Sequence, residues 1–337
     1  MQRINRTKLV DVARAAGVSP ATVSRAMNEP TLLAEDTLRR VRESARRLGY
    51  RPDGAARMLA SGRSRAIGAI VPTLDSAIFA RALQSMQATL AREAYQLVVA
   101  SHEMNPAAET EAIRALLARG IDGLMLVGGE RASEARELLA ASGLPVVLTW
   151  CGHPEFRSIA IDNHGAGILA ARHLLQLGHR RIGLVVGYQH FNDRQRARTA
   201  GVSDALSQAG IVLTPAMISE QPLTLAGGRT GASQLLETAP RPTALIGGVD
   251  ILAIGCMQEA KARGDVVPRE ISIVGIDDIE MSAHLQPSLT TVHIPTAAIG
   301  EQAAMGLVTY LRDGAWPGQP ELPIALVVRQ SSGPAPS

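Results

Sequence analysis

Residues 9–28 read LVDVARAAGVSPATVSRAMN. Leu9, Val12, Ala13 and Ala16 recur at i, i+3, i+4 and i+7, the spacing of one apolar helix face. Gly17 stands where a left-handed cap would end that helix. Ser19 then precedes Pro20, an N-cap serine with proline at the first helical position, so a second helix is expected at once. In that second helix Val23 and Met27 face inward, and Ala21, Thr22, Ser24, Arg25 and Asn28 face outward. Two short helices joined so tightly form a helix-turn-helix. A third helix follows, with Leu38, Val41, Ala45 and Leu48 inside and Arg39, Arg40, Arg42, Arg46 and Arg47 outside.

The charge distribution marks the same segment. The 337 residues carry a formal net charge of only +3, but residues 1–65 hold 14 Lys and Arg against 6 Asp and Glu, and the remainder holds 20 against 25. A basic head on a mildly acidic body points to a nucleic-acid or membrane contact at the basic end. Exposed arginines neutralise phosphates without reading sequence, and Arg25 can offer a fork of donors to guanine O6 and N7. A three-helix protein-interaction module is the other use of such a head. Hydrophobic residues make up 46% of the chain, enough for sizeable cores. The two cysteines, Cys151 and Cys256, lie in apolar stretches without metal-ligand spacing, so no disulfide framework, metal or cofactor is expected. No apolar run reaches the length of about 18 residues that a membrane span needs. The first residues lack a continuous apolar segment of signal-peptide type, so a cytoplasmic protein is expected.

LVDVARAAGVSPATVSRAMN, with the later run LGYRPDGAARMLASGRSRAIGAIVP, resembles the lactose/galactose repressor family of bacterial transcription regulators. The resemblance covers the head and, more loosely, nearly all of the body. It implies that the second helix reads the major groove, with Pro20 and Ala21 at variable specificity positions, Arg25 on a base, and Thr22, Ser24 and Asn28 on the backbone or positioning the helix. It also implies that residues 52–60, PDGAARMLA, form a hinge helix on operator DNA, with Ala56 and Leu59 at the minor groove and Leu59 as the wedge. Six or seven residues including Gly54 are too few to hold a helix alone in water. This chain departs from the family pattern at Asp53, usually Asn, and at Ala34, often a capping serine.

Beyond residue 65, short apolar runs alternate with helical stretches. The runs are 66–71, 96–100, 123–127, 146–150, 181–186, 243–247 and 271–276. The helices lie near 78–93, 107–119, 133–141, 166–177, 194–209, 226–237 and 250–263. Apolar runs of five or six residues between helices are parallel strands buried on both faces. The fold expected is therefore an all-α helix-turn-helix head plus an α/β body of two doubly wound parallel-sheet lobes, which the resemblance makes periplasmic-binding-protein-like. The domains expected are 1–51 for the head, 52–65 for hinge and linker, and 66–330 for effector binding and dimerisation, with a tail at 331–337. Within the body, one lobe takes about 66–162 with 292–322, and the other about 163–291 with 323–330.

A ligand would sit between the lobes, outside the carboxyl ends of the strands. Ser76 and Phe79 stand where relatives have Asn-Pro-Phe-Phe. Trp150 ends a strand and suits either a sugar face or the core. Asp193 can cap the next helix, which places Arg194 and Arg198 on one face, four residues apart. The resemblance puts Arg198 and Asp277 at effector-binding positions, and Asp250 where the family has Asn-Asp. Paired carboxylate and guanidinium groups suit a sugar or a sugar acid, and equally a lobe–lobe salt bridge. No dinucleotide, phosphate-loop or nucleophile-elbow sequence appears, so an enzyme is disfavoured, and the head disfavours an exported sugar-binding protein. The chain is expected to be a repressor that binds a near-palindromic duplex operator as a homodimer under control of a sugar or sugar-acid effector.

Overall fold

The computed structural model describes residues 7–28, 30–50, 63–318 and 322–336. Ala56, Leu59 and the rest of the expected hinge lie outside them. The chain divides into two compact units, Met1–Arg65 and Ala66–Ser337.

The first unit holds α1 (Leu9–Ala16), α2 (Pro20–Asn28) and α3 (Glu35–Arg47). Gly17 ends α1 at φ +64°, and the Val18 amide returns to the Ala13 carbonyl at 3.0 Å. The Ser19 hydroxyl accepts the Thr22 amide at 3.1 Å and so starts α2. Val12, Ala13, Ala16, Val23, Ala26, Val41 and Ala45 form the small core, with Leu38 and Leu48 packed against it. Ala34 caps α3 without a side-chain bond. Glu35 and Asp36 complement the helix dipole instead, and Asp36 pairs with Arg39 and Arg40.

The second unit opens with a sheet of β1 (Ala66–Val71), β2 (Gln96–Ser101), β3 (Gly123–Val127), β4 (Val146–Trp150) and β5 (Arg157–Ala160), in the order β2-β1-β3-β4-β5 and parallel throughout. Between these strands run α4 (Ala77–Arg92), α5 (Pro106–Ala118) and α6 (Ser133–Ser142). The other lobe is built from α7 (Asn163–Gln176), β6 (Ile182–Gly187), α8 (Asp193–Gln208), β7 (Ile218–Gln221), α9 (Leu225–Leu236), β8 (Ala244–Gly247), α10 (Asp250–Ala262), β9 (Ser272–Asp277) and β10 (Thr290–His293). The chain then returns to the first lobe as α11 (Thr296–Asp313), which packs against α4, and ends in β11 (Ala325–Val327). The second sheet runs β11-β10-β9-β8-β6-β7, with β11 alone antiparallel.

The seven apolar runs all form strands. The strands that the hydrophobic pattern did not mark are β5, β7, β10 and β11, which are short or half-exposed and lack a continuous apolar run. Because β10 stays in the second sheet, that lobe extends to His293, two residues beyond the expected crossing at 291. α7 starts three residues earlier than expected, at Asn163, because the Asp162 carboxylate accepts the Gly165 amide at 2.7 Å. The tail is clamped to the second lobe. Buried His179 meets Thr243, Ser272 and the Gly333 carbonyl at 2.9–3.0 Å, and Ser331 donates to the Ile273 carbonyl at 2.6 Å.

One close crossing positions the cleft. α7 and α8 touch backbone to backbone: a Cβ at Gly167 would stand 2.1 Å from the Arg198 carbonyl oxygen, and one at Gly201 would stand 2.0 Å from that of His164. Gly201→Ala gains about 1 kcal/mol of helix propensity. The clash outweighs this, since overpacking costs about 1–3 kcal/mol and backbone cannot yield as a side-chain tip does. Gly201→Ala is expected to lower the denaturant midpoint with an unchanged m-value, and an equal or higher midpoint would refute this packing.

Candidate functional site

The exposed surface of the first unit is cationic. On α2, Pro20, Ala21 and Arg25 are exposed, while Thr22 and Ser24 are half-buried, more than their outward assignment required. Thr22 is held by its bond to Ser19. On α3, Arg39, Arg40, Arg42, Arg46 and Arg47 are all exposed. Asn28 ends α2. A helix bearing small residues at its start and one exposed guanidinium in its last turn, beside an arginine-rich helix, can enter a groove and hold phosphates on its flank.

In the second unit several of the candidate side chains join in one chain of contacts at the strand ends. Phe79, near the start of α4, meets Trp150 edge to face, with ring centroids 5.2 Å apart. Trp150 is fully buried at φ +67°, so its indole is a core aromatic and not an open stacking surface. Its backbone carbonyl accepts from Asn163 Nδ2 at 2.8 Å, and Asn163 Oδ1 accepts from Arg198 Nε at 3.1 Å. Arg198 Nη1 then donates to the Gly248 carbonyl at 2.7 Å and to Asp277 Oδ1 at 3.1 Å. Arg198 and Asp277 are both buried. Asp277 closes β9 at φ +138°, and Asp278 follows at φ +55°. Such strained backbone at a strand end, facing a cleft, is typical of sites that hold ligand groups in fixed positions. Burial pushes the Asp277 carboxyl up to about 7 although Arg198 opposes it.

Asp250 lies directly behind this pair, its backbone amide hydrogen-bonded to the Asp277 carboxylate. It is fully buried as the first residue of α10, with Val249 as the cap. Its oxygens are spent on the Ser282 hydroxyl, the Ile279 amide and the Thr291 hydroxyl. It ties down the loop after β9 and thereby positions Asp277. Ser76 is the half-buried cap residue of α4 and makes no capping bond.

The start of α8 also differs from expectation. Asn192 caps the helix, accepting the Gln195 amide at 3.4 Å. Asp193 is thus freed to reach the other lobe, where it accepts the Gly129 amide at 2.6 Å. Arg194 is buried and pairs with Asp193 at 3.1 Å, whereas Arg198 pairs with Asp277. Arg196 forms a second link across the cleft, to Glu130. The approach is tight enough that a Cβ on Gly128, already at φ +76°, would stand 2.4 Å from Arg194 Nη1. Arginine beside Asp193 and the bonds it accepts hold its carboxyl below the usual carboxylate range, while burial pushes the neighbouring Cys151 thiol up to about 12.

The pattern of residues did not reveal Asn163, Asp193, Gly128 or Gly129 as part of this cleft. Among the described residues no group of three or more His, Cys, Asp or Glu side chains could hold a metal ion, and no helix is long and apolar enough to cross a membrane.

The sequence matches a family model described as "Bacterial regulatory proteins, lacI family" over residues 8–53, and one described as "Periplasmic binding protein-like domain" over residues 171–332. It is 32% identical to the HTH-type transcriptional repressor PurR of Haemophilus influenzae, over 87% of this chain and 88% of that protein. It superposes on the lac repressor dimer bound to operator and the anti-inducer ONPF with a TM-score of 0.87, at 27% identity, covering 98% and 100% of the two chains. It superposes on a CelR–cellobiose complex with a TM-score of 0.71, at 26% identity, covering 97% and 100%.

The raised Asp277 carboxyl has a measurable consequence. Between the unfolded value of 3.8 and about 7 the folded state retains a proton that the unfolded state has lost, so this group makes stability fall as pH rises. Relative to Asp277→Asn, the natural protein is expected to lose stability between pH 4 and 7 at up to about 1.4 kcal/mol per pH unit. Parallel denaturation profiles for the two proteins would remove this assignment.

Proposed function

We propose, from the premise that this chain belongs to the lacI family of bacterial regulatory proteins, that it is a cytoplasmic, sequence-specific transcription repressor. Its operator affinity is set by a sugar or sugar acid bound between the two lobes of the body. The observation that carries this reading is the joint presence of two sites in one chain: an exposed guanidinium, Arg25, on a capped recognition helix, and a buried Arg198–Asp277 pair at the strand ends of a two-lobed body. The chain acts as a regulator and not an enzyme, as its relatives do. By analogy with the lac repressor dimer on its operator, it binds as a homodimer to a near-palindromic duplex.

The roles that fit this reading are these. Pro20 and Ala21 leave room for α2 to approach base edges, Arg25 reads one base, and Thr22, Ser24 and Asn28 hold the helix or its flanking phosphates. Ala56 and Leu59 are proposed as the hinge contacts in the minor groove. The Arg198 donors and the Asp277 acceptor take hydroxyl groups of the effector, with Phe79 and Trp150 backing them and Ser76 at the rim. Residues 66–330 thus form the effector-binding and dimerising body, served by a head at 1–51 and a hinge at 52–65. The Asp193–Gly129 and Arg196–Glu130 links couple closure of the lobes to the spacing of the two hinges. An effector controls this equilibrium only through its different affinity for the two states.

Selection from random duplexes tests the head. Arg25→Ala is expected to blur one operator position and weaken specific binding about tenfold to hundredfold, with non-specific binding nearly unchanged. An unaltered sequence preference would take Arg25 out of base reading. For the body, Asp277→Asn is expected to bind operator normally and to stop responding to the sugar or sugar acid that modulates the natural protein; a normal response would place the effector elsewhere.

A further inference from the structure

Residues 329–335 follow β11 and lie along the second lobe. The Gln330 amide donates to the Ser288 carbonyl at 2.9 Å, the Ile273 amide to the Ser331 carbonyl at 2.7 Å, and the Ala335 amide to the Leu177 carbonyl at 2.8 Å. The Gly333 amide donates to the Ser272 hydroxyl at 3.0 Å, and the buried Ser331 hydroxyl accepts the Thr290 amide at 2.8 Å. Arg329 opens the segment and donates to Asp278 Oδ1 at 2.6 Å and to the Leu289 carbonyl at 2.8 Å. Asp278 is the chain neighbour of Asp277, so the segment grips the loop that carries the buried pair.

Two histidines stand at the centre of this contact. His179 is fully buried. Its Nε2 lies 3.0 Å from the Gly333 carbonyl, which can only accept, so Nε2 carries the proton. Nδ1 is left to accept the Thr243 hydroxyl at 2.9 Å. His173 Nε2 meets the Ser332 hydroxyl at 2.8 Å, and that hydroxyl lies 2.8 Å from Thr290 Oγ1. A further proton on His179 must go to Nδ1. It turns the Thr243 O–H towards the Arg181 carbonyl, 3.4 Å away, and puts a charge among hydroxyls and carbonyls. Among the described residues no carboxylate bonds to either ring. The charged groups of the surrounding elements, Arg172, Arg180, Arg181, Arg241, Arg269 and Glu270, are exposed, and Arg329 is taken by Asp278. A buried charge without a counter-charge is costly. Burial accordingly lowers both imidazoles from their ordinary 6.5; His179 adds to the effect on His173, and the Gly333 carbonyl opposes it at His179.

We propose that residues 329–335 are an acid-released clasp, docked on the second lobe while His173 and His179 are neutral and freed when either takes a proton. Undocked, each ring titrates at its ordinary value; docked, it titrates below that value. Docking is therefore undiminished above about pH 6.5. It weakens as the pH falls, by up to about tenfold per pH unit for each ring that gains a proton. Release also slackens the hold of Arg329 on Asp278, and with it the loop that carries Asp277. Asp277 itself acts in the opposite sense, since its raised carboxyl makes the protein more stable on acidification. The clasp stands whether or not the cleft binds an effector.

The test is hydrogen exchange of the full chain between about pH 7 and about pH 5, a range that spans the ordinary imidazole value, with each amide rate divided by its intrinsic rate at that pH. Protection at Gln330, Gly333 and Ala335 is expected to fall about tenfold or more over this range. In H173N/H179N, whose new side chains can hydrogen-bond but do not titrate there, the same protection is expected to stay level. Constant protection in the natural protein would overturn the proposal, and so would an equal fall in the double variant. Should that variant not fold, the ring-proton resonances of His173 and His179 in the natural protein decide. They are expected to titrate in step with the loss of protection; rings and protection that change at different pH values would overturn the clasp.

Discussion

The body depends on a charge pair that water cannot reach. Arg198 and Asp277 come from different βα units of the second lobe, and both are buried. Removing two charges from water is expensive and is repaid only where geometry is good and the remaining donors are met. Here Asn163 meets Nε and the Gly248 carbonyl meets Nη1. Each partner is in turn held by something more distant. Asn163 is fixed by the Trp150 carbonyl, and Asp277 by the loop that Asp250 ties down. The backbone contact of α7 and α8 through Gly167 and Gly201 brings Asn163 within reach of Arg198. The pair is thus the meeting point of constraints that run through most of that lobe. A ligand able to bond to it would feel the lobe's packing, and the packing would feel the ligand.

The two units use arginine in opposite ways. In the first, the guanidinium groups of α3 stand exposed and act through their number and sign, as phosphate neutralisation requires. In the second, Arg131, Arg194 and Arg198 are buried, each with a carboxylate partner. Their charges cancel locally and leave directional donors. This is why a modest net charge conceals two distinct chemistries. The acidic excess of the body describes its surface, and its cleft is governed by matched pairs and the donors left over.

Two polar contacts cross the cleft. The Asp193 carboxylate bonds to a backbone amide of the opposite lobe, and Arg196 reaches Glu130 there. Both links belong to the first turn of α8, the helix that also carries Arg198. The interlobe contacts and the Arg198–Asp277 pair are therefore carried on one helix. A small change in where that helix sits would be felt at both.

The sequence by itself determined the elements and the class of protein. The periodicity of Leu9, Val12, Ala13 and Ala16, the glycine after it and the Ser19-Pro20 start specified the head, because these signals are local and each is satisfied within a few residues. The seven apolar runs of the body likewise became strands, since burial on both faces leaves a continuous mark. Strands without such a mark, β5, β7, β10 and β11, were left to the neighbours that pair with them. Only the tertiary structure decided which polar residues meet. The Asp250 carboxylate went to the loop after β9, Asp193 surrendered the cap to Asn192 and crossed to Gly129, and Arg131 was buried beside Glu109. A carboxylate or guanidinium looks the same in the chain whether it will bind a ligand, tie a loop or bridge two lobes. Its role is set by which donors and acceptors folding brings within about 3 Å, and by whether water is excluded there.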